Sequence, residues 1–214
     1  MIRLYGHPFA AFAWKALIAA YVRDVPFNFR TLGPDQPDNM ARIAALSPTG
    51  QMPALEDGDR TVTGSNSVIA YLDRIGDAPP LIPANPNEGL RARELADVFD
   101  DYVATPMQRI VAQASPAADE KDARGVADAR ATLDKSYAWL ERRLGPVWAI
   151  GAAFTIADCA AAPALFYADW VHPIPDGPLK AYRARLLAHP AVARVVDEAR
   201  PFRAFFPLGA PDRD

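Results

Sequence analysis

Cysteine is almost absent from this chain; Cys159 is the only one. A lone cysteine excludes any internal disulfide and any cysteine-cluster metal site, and it suits a reducing compartment. Long apolar runs are missing as well, and no stretch reaches the length needed to cross a bilayer. Neither sign of charge dominates. The formal net charge is -3 over 214 residues, which exerts no general pull toward nucleic acid or an anionic membrane surface. No internal repeat and no low-complexity tract is visible. The opening Met1-Ile2-Arg3-Leu4-Tyr5-Gly6 lacks the shape of a signal peptide. A cytoplasmic protein with no nucleic-acid or membrane partner is the expectation. What the chain does have is apolar content: half of its residues are hydrophobic. That is enough to build one large core or two small ones.

The first third mixes strand and helix signals. Ile2 to Tyr5 is a short apolar run closed by Gly6 and Pro8, which predicts a strand entering a turn. Phe9 to Val22 carries Trp14, Leu17, Ile18 and Tyr21 at helical spacing. Pro26 to Leu32 reads as a strand, and Asp38 to Leu46 as a short helix. Pro53 to Glu56 and Arg60 to Thr63 flank Asp57-Gly58, a strong hairpin signal. Ser65 to Ile75 is a helix with Ser65 as its expected N-cap. The order is βαβ, a short helix, a hairpin and a helix, over residues 1–76. Residues 77–86 are rich in proline and read as a linker. From 87 to 214 only helical signals remain. A long helix is expected over Asn87 to Ala114, bent or broken near Pro106. Further helices are expected over Val126 to Leu144, Thr155 to Ala168, Leu179 to Leu187 and Val192 to Ala199, before a Pro-rich tail. Thr155-Ile156-Ala157-Asp158 has the layout of a capping box. Its reading is structural rather than catalytic.

Three segments are chemically informative. In Thr49-Gly50-Gln51-Met52-Pro53, a proline enters a strand from a Gly-containing turn, so the bond before Pro53 is a candidate for cis. The N–H and C=O of Met52 would then face outward and pair with an extended peptide, as an added strand does. The bland alternative is an ordinary turn before an edge strand. In Thr63-Gly64-Ser65, the amides and hydroxyl at a helix start suit a carboxylate; the alternative is simple capping by Ser65. The hairpin between them folds Met52 and Gly64 together, so one small peptide with a carboxylate end can bridge both. The third segment, Gly6-His7-Pro8-Phe9-Ala10-Ala11-Phe12-Ala13-Trp14-Lys15, links the first strand to the first helix, whose start carries positive potential.

Taken in this order, these segments resemble the soluble glutathione transferases, most closely bacterial members. The likeness spans nearly the whole chain and includes the capping box preceded by Phe154. It implies a thioredoxin-like domain followed by an all-α helical bundle, and a homodimer with one glutathione site per subunit. It implies conjugation of the glutathione thiolate to small hydrophobic electrophiles, as in detoxification. Carried over residue by residue, Met52 before Pro53 pairs with the cysteinyl backbone of glutathione. Ser65 takes the γ-glutamyl carboxylate, and Gln51 is a weaker candidate for the same end.

Two departures stand out. Serine-type members place a thiolate-stabilising hydroxyl just after the His-Pro turn, where this chain has Ala10 and Ala11. Members usually carry Glu before the serine, where this chain has Gly64. Each loss removes a hydrogen bond to a charged group, worth about 1.5–3 kcal/mol. The helix dipole and the amides of Ala10 and Ala11 are left to depress the thiol. Tyr5 and His7 are candidate replacements for the hydroxyl, each weighed against a core or turn role. Glu94, Asp97, Asp100 and Asp101 cluster on the long helix. They read as a solvated face, or Asp97 or Asp101 replaces the missing Glu across the dimer. Phe12, Trp14, Tyr102, Met107, Tyr167 and Trp170 are candidates for the co-substrate pocket, each weighed against plain core packing. Two alternatives to conjugation stay open: a ligand-binding protein with weak catalysis, and a glutathione-dependent isomerase.

Overall fold

The computed structural model describes residues 1–114 and 122–214. Its first part is a four-stranded sheet with helices on both faces. The strands are β1 (Ile2–Gly6), β2 (Phe27–Thr31), β3 (Ala54–Asp57) and β4 (Arg60–Thr63), in the order β2-β1-β3-β4. β1 runs parallel to β2 through α1 (Ala11–Val22), then antiparallel to β3, which pairs antiparallel with β4. Helices α2 (Pro37–Leu46) and α3 (Ser65–Ile75) complete this part. The parallel pair needs a crossover helix and the hairpin does not, which is why the chain spends α1 between β1 and β2 and only Gly58 and its neighbour between β3 and β4.

Strand alternation sorts β1 between two cores. Ile2 and Leu4 join Leu17, Ile18, Leu55 and Leu72 beneath α1 and α3. Tyr5 points the other way and packs with Leu32, Ile43 and Ala54 toward α2. Every residue of α1 from Ala13 to Ala20 is buried, because α1 lies between the sheet and the helices that follow.

The second part is α4 (Pro86–Phe99), α5 (Thr105–Gln113), α6 (Ala123–Glu141), α7 (Ile156–Val171), α8 (Pro178–Ala188) and α9 (Pro190–Ala199), then a 3-10 turn over Arg200–Phe205. The expected single helix from Asn87 to Ala114 is interrupted earlier than Pro106. A π-helical turn occupies Asp100–Ala104, and Pro106 falls in the first turn of α5, where its missing N–H costs nothing. The start of α3 also differs from expectation. Gly64 is the N-cap, with φ 82°, and Ser65 is the first helical residue. At that positive φ a side chain is strained, so glycine suits the position. The capping box of α7 forms as read. The fully buried Asp158 accepts from the Thr155 N–H at 2.8 Å, from the Ala149 N–H at 2.8 Å and from the Tyr182 hydroxyl at 2.6 Å. Ahead of α4, Asp73 accepts from the N–H groups of Leu81 and Ile82 at 2.6 and 3.1 Å, and Ile156 donates to the Leu81 carbonyl at 2.9 Å. These bonds tie α3 to the start of α7.

Candidate active site

The turn between β1 and α1 is held on all sides. The Phe9 N–H donates to His7 Nδ1 at 3.1 Å, and the Ala10 N–H donates to the His7 carbonyl at 3.0 Å. The Trp14 indole donates to the Pro8 carbonyl at 2.6 Å. From α7, the Tyr167 hydroxyl donates to the Phe9 carbonyl at 2.9 Å. Ala10 is the N-cap of α1 in an extended conformation, and the Trp14 N–H closes the first helical bond onto its carbonyl. The N–H groups of Ala11, Phe12 and Ala13 therefore have no partner within the helix. No acidic residue sits in that first turn to absorb their potential. The expected pair of amides, Ala10 and Ala11, differs in the structure: the Ala10 N–H is spent on His7, and Ala11, Phe12 and Ala13 supply the free donors.

The second segment lies in front of that helix start. The Met52–Pro53 bond is cis, as the sequence pattern suggested. Met52 stands two residues before Ala54, the first residue of β3, and outside the ladder. Among the described residues nothing bonds to its N–H or C=O. The Pro53 carbonyl accepts from the Gly64 N–H at 3.1 Å, which ties this turn to the start of α3. There the Val68 N–H closes on the Gly64 carbonyl, leaving the N–H groups of Ser65, Asn66 and Ser67 unpaired within the helix. That first turn carries no acidic residue either.

Between these segments and the helices lies a cavity of about 640 Å³. Ala10, Ala11, Gln51 and Met52 form one wall, with Phe9 and Phe12 beside them. Met107, Gln108 and Val111 of α5 form another, and Tyr167 closes the back. Phe205, Phe206 and Pro207 roof it. Among the described residues no charged side chain lines it, and its hydrogen-bonding side chains are the amides of Gln51 and Gln108 and the Tyr167 hydroxyl, itself committed to Phe9.

Comparison with known proteins places the chain in a family. Residues 4–80 match the model of the glutathione S-transferase N-terminal domain, and residues 113–198 match that of its C-terminal domain. The chain belongs to the glutathione S-transferase family. A probable maleylacetoacetate isomerase of Vibrio cholerae is 27% identical over 214 residues, covering 92% of this chain and 96% of the relative. A glutathione S-transferase of Pseudomonas putida is 25% identical over 166 residues, covering 74% of this chain and 70% of the relative. Among solved structures, a Methylobacillus flagellatus glutathione S-transferase with GSH bound superposes with a TM-score of 0.80 at 17% identity, covering 91% of this chain and 98% of that one.

As a glutathione transferase, the chain assembles some of its expected site residues and not others. Ala10, Ala11, Gln51 and Met52 share the cavity. Pro53, Gly64 and Ser65 lie beside it through the Pro53–Gly64 bond rather than in its wall. Tyr5 is elsewhere. It is 3% exposed, and its hydroxyl donates to Glu56 at 2.6 Å. Burial first, and then Glu56, push the phenol above its ordinary range. That phenol is committed to a carboxylate on the α2 face of the sheet, and among the described residues Tyr5 is not one of those that line the cavity. His7 is a turn histidine, with Nδ1 taken by Phe9 and its ring edge-on to Phe202 at 4.9 Å. Burial holds its imidazole below the ordinary value.

The pocket aromatics divide the same way. Phe12, Met107 and Tyr167 line the cavity. Trp14 is fully buried in the core. Trp170 packs on Phe166 and Phe206, and Tyr102 is half-exposed in a separate hollow between α4 and α6. Phe9 belongs to the turn segment already marked in the sequence, whereas Gln108, Val111, Phe205 and Phe206 were not expected in the site. Met107 and Val111 stand four apart on α5, a readable stripe; nothing local marks the tail phenylalanines as a roof. In the acidic cluster, Asp100 pairs with the buried Lys15, and Asp97 lies 3.4 Å from Asn66 of the same chain. Glu94 and Asp101 are exposed.

Proposed function

We propose that this transferase conjugates the thiolate of glutathione to small, uncharged, apolar electrophiles. The observation that carries the reading is the cavity itself: an unpaired backbone position at Met52 and the free amides of α1 share one apolar chamber. Met52 would pair with the cysteinyl backbone through its N–H and C=O. The start of α3, with Ser65, would take the γ-glutamyl carboxylate, with Gln51 as a further contact. The thiol then lies before the free N–H groups of Ala11 and Phe12. The proton leaves to solvent, the sulfur forms the new C–S bond, and the leaving group departs with its electron pair. A helix start contributes up to about 2 kcal/mol to a charge beside it, against about 1.5–3 kcal/mol for the absent hydroxyl. The thiolate is therefore less stabilised than in serine-type relatives, and turnover rises into mildly alkaline pH. We assign residues 1–76 to the glutathione domain, 77–86 to a linker and 87–214 to the helical domain. We assign the protein to the cytoplasm, as a homodimer, in a detoxifying role.

A second reading, a glutathione-dependent isomerase, draws support from relatives. Two proteins named probable maleylacetoacetate isomerases, from Drosophila melanogaster and Vibrio cholerae, match this chain over 98% and 92% of its length. A substrate with two carboxylates, however, calls for cationic partners, and no charged side chain among the described residues lines this cavity. Calorimetric titration with glutathione, followed by turnover of an activated aryl halide and of maleylacetoacetate, separates the readings. Aryl-halide turnover without isomerisation is the expected result. The reverse would replace conjugation by isomerisation. Glutathione binding with neither activity would leave a ligand-binding protein, and no glutathione binding would overturn the proposal.

A further inference from the structure

Lys15 sits one helical turn inside α1, and its side chain is 1% exposed. A lysine is rarely placed in such a position without partners. Its ammonium donates to the Asn66 side-chain oxygen at 2.7 Å and pairs with Asp100 in the π-helical turn. It also lies 5.6 Å from the Phe12 ring, which lines the cavity. The Asn66 amide is fixed at its other end too, donating to Asp100 at 3.2 Å and toward Asp97 at 3.4 Å. Three elements that border the site thus meet at one buried ammonium: the start of α1, the start of α3 and the turn leading into α5. One oxygen of Asp100 is buried with no hydrogen-bond partner among the described residues, so Lys15 carries most of that carboxylate's compensation.

We propose that Lys15 is a positioning residue for the γ-glutamyl carboxylate of glutathione, acting through Asn66. This rests on the reading of the α3 start as the carboxylate site. Asn66 is the second residue of α3, directly after Ser65. Locking both ends of its side-chain amide sets the rotation of the first turn. The free N–H groups and the Ser65 hydroxyl are thereby aimed at one point. No hydroxyl or carboxylate at position 64 helps to orient them, because Gly64 has no side chain. Lys15 itself never touches the ligand; its effect is transmitted through the helix start.

The test is calorimetric affinity and steady-state turnover for the native chain, Lys15→Met, Asn66→Ala and Ser65→Ala. Two ligands are compared: glutathione, and γ-aminobutyryl-cysteinylglycine, which lacks only the carboxylate in question. Asn66→Ala keeps the Lys15–Asp100 pair, so it remains informative if the buried-charge variant folds poorly. The expected result is a tenfold or greater loss of glutathione affinity in Lys15→Met and Asn66→Ala. Affinity for the truncated analogue should stay within about twofold of native, and kcat at saturating glutathione should stay within threefold. A general structural role would weaken both ligands alike or lower kcat. If Ser65→Ala weakens glutathione while Lys15→Met and Asn66→Ala bind it normally, or lose both ligands equally, the proposal is overturned. If Ser65→Ala itself leaves glutathione affinity unchanged, the carboxylate assignment fails first and this inference falls with it.

Discussion

Ala10→Ser restores a hydroxyl at the N-cap of α1, where the structure allows its consequences to be worked out. Ala10 lines the cavity with φ -97° and ψ 122°, the extended conformation that N-cap residues adopt. A serine oxygen there can accept from the free N–H of Phe12 or Ala13 and still donate its proton outward. Capping alone stabilises the chain by about 0.5–2 kcal/mol relative to alanine. Donation to a thiolate adds about 1.5–3 kcal/mol to the charged form, or about 1–2 pKa units. The rate gain is smaller than that shift, because a less basic thiolate is a weaker nucleophile, with a Brønsted slope of about 0.4–0.5. Well below the thiol pKa, kcat/KM should rise by about three- to tenfold. Well above it, the variant should be slower than the native chain by a similar factor. The two pH–rate profiles, measured with an activated aryl halide, should therefore cross. A raised melting temperature with superimposable profiles would show a pure capping effect, and would refute the placement of the thiol in front of Ala10.

Tyr5→Phe should lose about 1–3 kcal/mol of stability, because Glu56 loses one of its donors. Its turnover per folded molecule should be unchanged in the same assay; a fall at constant glutathione affinity would return Tyr5 to the mechanism. Asp158→Asn presents an NH2 group to a site whose neighbours are all donors. Tyr182 or the Thr155 hydroxyl can rotate to accept, but a backbone N–H then stays unpaired. A loss of about 3 kcal/mol is expected by chemical denaturation. His189 caps α9 by accepting from the Ala191 N–H at 3.3 Å, and burial holds its imidazole below the ordinary value. Its folded pKa lies below its unfolded one, so the unfolded chain takes the proton first as pH falls. The stability it contributes is full above about pH 6.5 and is lost as pH drops through the folded value. His189→Asn retains a capping oxygen, and its melting temperature should fall less between neutral and mildly acid pH; an unaltered slope would assign the acid sensitivity to His7 or to other groups.

Much of the scaffold was legible because its signals are local. The short apolar run of β1 closed by Gly6 and Pro8, the Asp57-Gly58 hairpin, the capping box and the Gln51-Met52-Pro53 turn each lie within a few neighbouring residues. What escaped reading depends on direction or on distant packing. Tyr5 ends the right strand, but successive strand residues face opposite sides. Leu4 takes the side of α1 and Tyr5 the side of Glu56. Lys15, one cation in an apolar helix, reads locally as a solvated exception, and only the approach of Asp100 and Asn66 makes it a buried junction. The π-helical turn that brings Asp100 there was expected as a bend at Pro106 instead. Phe205 and Phe206 belonged to a tail with no periodicity, yet they cover the cavity.

These escapes bear on function in a consistent direction. The groups that relatives would use for charge at the site are missing or spent: Ala10 has no hydroxyl, Gly64 has no carboxylate, Tyr5 is committed to Glu56, and the Nδ1 of His7 is committed to Phe9. The charges that remain lie behind the first turns of α1 and α3, in the Lys15–Asp100–Asn66 junction, rather than in the cavity wall. A site built this way relies on backbone N–H groups aimed by a buried frame. Preorganised dipoles need no reorganisation when charge develops on sulfur, so such a frame can sustain catalysis without a catalytic side chain. It also makes glutathione affinity, and through it kcat/KM, sensitive to substitutions such as Asn66→Ala that touch neither thiol nor electrophile. In a site activated mainly by a serine hydroxyl, that sensitivity would fall on the hydroxyl first.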